Sequence, residues 1–149
     1  MQRHHLLPRQ LLYEPCFSAL IAALGSDRLG YDDFRRNGLL LPATERAAFA
    51  ARMPLHRGPH RAYNGLVIER FGQIEERWSQ VRRRAPEVAL DEALMRLDLL
   101  RNALRRKLLG GGRRPYRLNR HDPLGKLVDF TELDAMADAL WSSSSCMQH

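Results

Sequence analysis

Apolar residues in the middle of the chain recur at helical spacing and form two long stripes. The first stripe repeats at intervals of three, four or seven residues and predicts a helix over residues 59–83. Its members are Tyr63, Val67, Ile74, Trp78 and Val81. The second stripe predicts a helix that begins at Pro86, runs to Leu109 and stops at the three glycines that follow. Its inward positions are Leu90, Leu94, Leu97, Leu104 and Leu108.

Two short apolar runs near the start of the chain are typical of strands. Residues 2–7 end at Pro8, which cannot donate a ladder hydrogen bond and holds the preceding residue extended. Residues 39–42 follow the dipeptide Asn37-Gly38, a pair that favours a tight turn. We therefore predict two short strands, the second entered through a turn.

The segments around these strands predict further helices. Residues 11–24 carry apolar side chains at helical spacing and should form a core helix that Gly25 terminates. Residues 25–37 are rich in Gly, Ser, Asp and Asn and are predicted to form a loop. Residues 44–53 should form a short helix with Thr44 as its N-cap. The fold class expected from these patterns is α+β and mostly helical.

The last third of the chain is less patterned. Residues 110–128 form a basic connection that contains Gly and Pro. Residues 131–134 resemble a helix capping box, with Asp134 where Glu or Gln is usual, and predict a last short helix to Trp141. Residues 142–149 have no pattern and are expected to be a flexible tail. We predict one domain, in which residues 84–141 pack as a helical extension on residues 1–83.

The balance of charge favours a polyanionic partner. The chain of 149 residues has a formal charge of +7 and a pI near 10.2, and only two of its 24 basic residues are lysines. Because the planar guanidinium of arginine makes bidentate contacts to phosphate, this composition favours nucleic acid. A GC-rich genome is an equally good explanation of the Arg to Lys ratio, but it does not explain the net charge.

Cysteine content and hydropathy exclude other classes. Cys16 and Cys146 are too few for a disulfide framework and lack metal-binding spacing, so we expect a buried thiol and a loose tail residue. The sequence shows no apolar run of bilayer length and no signal peptide. We therefore expect a protein that stays in the cytoplasm or is delivered to a target cell by a specialised secretion system, without a membrane partner.

Four of the six histidines lie in two places, His4-His5 and His56/His60. The second pair is spaced four apart, so on a helix both rings would project from one side, as a metal ion requires of two imidazoles from one element. Imidazole also serves as a base near neutral pH, and a divalent ion supplies a Lewis acid. Together with Asn37, these residues contain the functions that a phosphodiesterase needs.

The chain resembles the AHH nucleases of the HNH/endonuclease VII superfamily, the ββα-metal enzymes, over about residues 2–81. The resemblance rests on His4-His5-Leu-Leu-Pro8, on Asn37-Gly38 before Leu41-Pro42, and on His56-Arg-Gly-Pro-His60 with Tyr63-Asn64. Arg3 stands where the family name implies alanine. The resemblance implies that residues 1–83 are a nuclease core made of a short two-stranded hairpin and a metal-binding helix, followed by additional C-terminal helices.

The resemblance also implies a role for each residue. His5 would be the general base, and Asn37 would complete the catalytic set by fixing the loop that orients His5. His4, His56 and His60 would bind one divalent cation, with Mg²⁺, Mn²⁺, Ni²⁺ and Zn²⁺ all open. Adjacent strand residues face opposite ways, which favours separate roles for His4 and His5.

Arginines close to these positions are candidates for contacts to the substrate. Arg57 and Arg61 flank the predicted ligands and are placed, with Arg3, in the phosphate-binding set. Solvated charges on a helix face are the more frequent explanation for such residues, and both readings stay open.

The function expected from these observations is a metal-dependent endonuclease with little sequence preference. DNA is the expected substrate, rather than RNA. Many members of the family are toxins of bacterial competition systems, which implies an immunity protein as a second partner. The alternative from another class is a non-catalytic zinc or DNA-binding module, in which a fourth ligand closes the metal site.

Overall fold

The computed structural model describes residues 1–56 and 60–110, the backbone of residues 117–118, and residues 135, 138 and 139. The described secondary structure consists of four strands and five α-helices, with two short 3₁₀ helices, Arg9–Tyr13 and Pro15–Phe17, before the first α-helix. Helices predominate, so the predicted α+β, mostly helical class is confirmed. None of the helices in the described part of the chain is long and apolar enough to span a membrane.

Strand β1 (Gln2–His5) pairs antiparallel with β2 (Gly38–Leu41), so both predicted strands are present, although β1 ends two residues earlier than expected. In the register, Gln2 lies opposite Leu41 and His4 lies opposite Leu39. Because strand residues alternate between faces, Gln2 and His4 share one face of this small sheet.

The segment between β1 and β2 is mostly helical, so the predicted loop over residues 25–37 is wrong. Helix α1 (Ser18–Leu29) consists of two helical segments that meet at a kink at Gly25, whose φ of 74° and ψ of 163° are not helical. The predicted stop at Gly25 thus ends the first segment, and the second segment ends at Gly30, which adopts the left-handed conformation with φ 60°. Helix α2 (Phe34–Asn37) follows, with the Asp33 carboxylate accepting a hydrogen bond from the Arg35 amide. Asn37 ends this helix and Gly38 begins β2, so this dipeptide is not a turn between strands.

Two further short elements position the next part of the site. Helix α3 (Glu45–Ala51) begins at the predicted N-cap, where the Thr44 hydroxyl accepts a hydrogen bond from the Ala47 amide. Strand β3 (Leu55–His56) pairs in parallel with β4 (Arg117–Leu118). The His56 amide also donates to the Pro42 carbonyl at 2.8 Å, which anchors β3 beside the end of β2.

Helices α4 (Arg61–Val81) and α5 (Pro86–Leu109) are the two long helices that the apolar stripes predict. They pack against each other, and α5 also packs on α1. The stripe of α4 is buried at Tyr63, Val67, Phe71, Ile74 and Trp78. The charged side chain of Glu92 in this interface is also buried, where it accepts from Arg77 at 3.1 Å and Arg96 at 2.9 Å. The core therefore fixes α4, whose first turn faces β1.

Cys16 is exposed, so the expected buried thiol is wrong. The predicted helix from Thr131 lies mainly outside the described residues. Within its span the structure describes Ala135, Asp138 and Ala139, and these three are helical. The predicted tail over residues 142–149 also lies outside them.

Candidate metal centre

His4 lies in the buried face of β1. Its side chain is 2% exposed, whereas the flanking Arg3 is exposed and His5 is half-buried. The alternation follows from strand geometry, in which neighbouring side chains point to opposite faces. His4 therefore points under the sheet, towards β3 and the start of α4.

His56 and His60 reach the same place from two different elements. His56 ends β3, and His60 is the N-cap of α4, with φ −114° and ψ 73° outside the helical region. His56 therefore lies just before the helix, as its place outside the predicted helix of residues 59–83 implies, and the two rings do not project from a single helical turn. Pro59, the first residue of the predicted helix over residues 59–83, lies outside the described residues.

The three imidazoles form a compact cluster. Ring centroids are separated by 5.2 Å for His4 and His56, 5.0 Å for His4 and His60, and 4.9 Å for His56 and His60. One ring nitrogen from each lies within 4.8 Å of the other two. His60 Nε2 and His4 Nδ1 are 3.1 Å apart. Two nitrogens bound to one tetrahedral zinc at about 2.1 Å would be about 3.4 Å apart, so the cluster suits a small divalent cation.

The electrostatics of the rings agrees with this fit, whereas the ring nitrogens that face away from the His4–His60 contact lack partners within the described part of the chain. His4 Nε2 and His60 Nδ1 are buried and have no hydrogen-bond partner among the described residues. The pKa of His4 is lowered from 6.5 to about 3, first by burial and then by the nearby imidazoles of His56, His60 and His5. Burial also lowers the pKa of His56 and His60. All three rings are thus held neutral at pH 7, which is the state in which imidazole binds a metal.

Tyr63 forms the floor of the cluster and was expected only as a core residue. Its ring meets His4 edge-on at 4.9 Å, and its hydroxyl donates to the Leu6 carbonyl at 2.7 Å. The side chain is fully buried. Tyr63 therefore fixes the chain just after β1 and supports His4, a role that its place in a hydrophobic stripe does not reveal.

His5 lies outside the triad and stacks on Tyr31, with a centroid distance of 5.2 Å and an interplanar angle of 2°. Asn37 is fully buried and acts on the same region. Its side chain accepts from the Leu7 amide at 2.8 Å and donates to the Tyr31 carbonyl at 3.1 Å. Asn37 thus holds the segment after His5 and the residue on which His5 stacks, rather than the backbone of His5 itself. Nothing in the sequence pattern pointed to Tyr31.

The three candidate arginines have different surroundings. Arg3 is exposed, and its guanidinium lies 4.6 Å from the centroid of the Phe34 ring. Arg61 is exposed at the first position of α4, next to His60. Arg57 lies outside the described residues.

Two antiparallel strands, a helix that starts at the cluster, and three convergent imidazoles define a ββα-type metal nuclease core. A family model described as AHH, a nuclease family of the HNH/ENDO VII superfamily with conserved AHH, matches residues 1–104. The chain therefore belongs to the AHH family, as its resemblance to that family indicated. The match extends beyond residue 81 and includes most of α5, so the narrower extent expected from the sequence is wrong.

No curated protein and no solved structure matches the chain. The family itself establishes a nuclease of the HNH/ENDO VII superfamily, which implies a nucleic-acid substrate and a divalent metal.

Proposed function

We propose that the protein is a metal-dependent endonuclease that hydrolyses phosphodiester bonds in DNA with little sequence preference. His4, His56 and His60 hold one divalent cation, and His5 is the general base. The observation that carries this proposal is the cluster of three neutral, mutually adjacent imidazoles, with a fourth histidine, His5, next to His4 on β1 but outside the cluster.

The composition of the cluster favours catalysis over a structural zinc site. Structural zinc is normally held by four protein ligands, whereas catalytic zinc keeps one position open. Within the described ranges, the group of metal-binding side chains comprises only His4, His56 and His60. A cation held by three imidazoles has room for a phosphate oxygen. This cation would supply Lewis-acid stabilisation of the charge that develops on the phosphate and the leaving oxygen.

The residues of the chain perform the remaining steps. His5 takes the proton from the attacking water, and its stacking on Tyr31 keeps the ring in one orientation. Asn37 holds Tyr31 and Leu7 in place through its buried amide and is therefore a positioning residue. As the resemblance to the family implies, we expect this hydrolysis to leave a 5′-phosphate and a 3′-hydroxyl.

Electrostatics around the site favours a phosphodiester. The positive end of the α4 dipole lies at His60, and the amides of a first helical turn favour an anion. Arg61 is exposed at this helix start, and we assign it with Arg3 and Arg57 to contacts with the nucleic-acid backbone. Phosphate contacts carry no sequence information, so such a surface fits an enzyme with little base preference.

We further propose that the enzyme acts as a bacterial toxin and is inhibited by an immunity protein. This inhibitor should be acidic, because a positively charged substrate site attracts acidic partners. Growth arrest on expression, relieved by the product of a neighbouring gene, would support this role. Harmless expression of an active enzyme would contradict it. In this role the protein would be delivered by a specialised secretion system, whereas without it we expect cytoplasmic action.

Cleavage of supercoiled plasmid tests the enzymatic proposal. The wild type should nick and linearise the plasmid with at least one of Mg²⁺, Mn²⁺, Ni²⁺ and Zn²⁺, and EDTA should abolish cleavage. His5→Ala should lower the rate by about 10²- to 10⁴-fold, the usual contribution of a general base, while metal affinity stays within about threefold. Single-stranded DNA and RNA as parallel substrates test the preference for duplex DNA.

Two results would contradict this assignment. Undiminished cleavage by a folded His5→Ala variant would remove His5 from the mechanism. Tight metal and DNA binding without cleavage, with every tested ion, would favour the alternative of a non-catalytic zinc or DNA-binding module.

A further inference from the structure

Gln2 precedes the conserved histidine pair, on the same face of β1 as His4. Strand alternation points both side chains towards β3. The Gln2 Oε1 atom lies 2.9 Å from His56 Nδ1. This side chain thus reaches across the sheet and contacts one imidazole of the cluster without belonging to the cluster itself.

The chemistry of this contact selects one tautomer of His56. A carboxamide oxygen has no proton to donate, so a hydrogen bond to it requires the proton on His56 Nδ1. In a neutral imidazole the other nitrogen, Nε2, then keeps its lone pair free. Metal-binding histidines generally donate their second ring N–H to a carbonyl or carboxylate, which fixes both the tautomer and the ring orientation.

We propose that Gln2 is a positioning residue that holds His56 in the Nδ1–H tautomer, with Nε2 available to the metal. This inference rests on the proposed function, because it concerns the same metal site. Among the described residues, hydrogen-bond partners differ across the triad. Gln2 Oε1 is the hydrogen-bond partner of His56 Nδ1, whereas His4 Nε2 and His60 Nδ1 are buried without a partner.

The location of Gln2 makes the inference testable without loss of the fold. Gln2 is exposed, and its bond to His56 is also exposed, so removing the amide leaves the core intact. A matched control is Gln73→Ala, which removes another exposed glutamine from α4, 13 residues beyond His60 and about 20 Å along the helix axis.

The first measurement is the affinity of the full chain for Zn²⁺, by competition with a chromophoric chelator. Gln2→Ala should weaken binding by about 10- to 100-fold, the usual cost of losing such a partner. Gln2→Glu should bind at least as tightly as the wild type, because a carboxylate also accepts from Nδ1–H. Gln73→Ala should match the wild type.

The second measurement is the ¹⁵N chemical shift of the His56 ring in the metal-free protein. The wild type and Gln2→Glu should show a protonated Nδ1, and Gln2→Ala should shift the population towards the Nε2–H tautomer. A merely structural role for Gln2 would leave this tautomer equilibrium unchanged.

The outcomes separate this inference from the proposed function. If the wild type binds Zn²⁺ through the triad but Gln2→Ala binds equally well, the role of Gln2 is refuted and the nuclease proposal stands. Weaker binding by Gln2→Glu would show that the amide donates to His56, which also overturns the inference. If no divalent metal binds the wild type, the metal centre fails, and the role of Gln2 fails with it.

Discussion

Acidification should destabilise the metal-free protein through His4. The pKa of this buried ring is about 3 in the folded state, against 6.5 for an unperturbed histidine. Between these pH values the His4 ring is protonated in the unfolded chain and neutral in the folded state, so the free energy of unfolding falls as the pH falls. At pH 5 the difference from 6.5 is about 1.5 pH units, and at about 1.4 kcal/mol per unit His4 should cost about 2 kcal/mol relative to pH 7.5.

Urea unfolding followed by circular dichroism, in EDTA at pH 7.5 and pH 5, measures this loss. The comparison variant is His4→Leu, which keeps an apolar group of similar size at a buried position and cannot be protonated. The wild type should lose about 2 kcal/mol more than this variant between the two pH values. His56 and His60, whose pKa values are also lowered, contribute to the remaining loss in both proteins.

The reasoning fails if the wild type and His4→Leu lose the same stability on acidification. That result would mean that the His4 ring is solvated or accepts a proton within the fold. His5→Asn serves as a second comparison, because it changes the half-buried histidine next to His4 and retains the buried ring. It should keep most of the pH dependence of the wild type.

Three further predictions concern the residues around the cluster. Tyr63→Phe removes the hydrogen bond to the Leu6 carbonyl and should lower the free energy of unfolding, measured in urea, by about 1 to 3 kcal/mol. An unchanged free energy of unfolding would mean that water replaces the hydroxyl at this carbonyl. Asn37→Ala leaves the buried Leu7 amide without its acceptor and should cost at least about 2 kcal/mol, which a wild-type melting temperature would contradict. Zn²⁺ at about 100 times its dissociation constant should add about 2.7 kcal/mol to the wild type, and His60→Ala should abolish the increment. An equal increment in both proteins would place the ion elsewhere.

The sequence predicted those parts of the fold that depend on local pattern. The long helix from Pro86 to Leu109 has the predicted bounds, because a proline start, a leucine stripe and a glycine stop all agree. The Thr44 cap was also predicted, since a side-chain hydroxyl and an amide three residues away suffice for it. The local pattern was ambiguous at the end of α1, where both Gly25 and Gly30 are candidates for a helix stop. The first segment of α1 ends at Gly25 as predicted, but a second segment follows it and carries Leu29, which packs in the core.

Features that depend on distant segments were not predictable. His56 is a strand residue because β4, about 60 positions later, pairs with β3. The His5 stack on Tyr31 and the Gln2 contact to His56 also join residues far apart in the chain. The family resemblance placed His4, His56 and His60 in one site, but their arrangement on three separate elements required the structure.

The direct junction between α2 and β2 limits how the length of this chain can vary. No residue separates Asn37 from Gly38, and a Cβ atom at Gly38 would lie 2.1 Å from the Phe34 ring. An insertion here would shift the strand by one position and turn the side chain of Leu39 from the interior to solvent. Homologues that differ in length should therefore carry their insertions elsewhere, for example in the turn between Gly30 and Asp33.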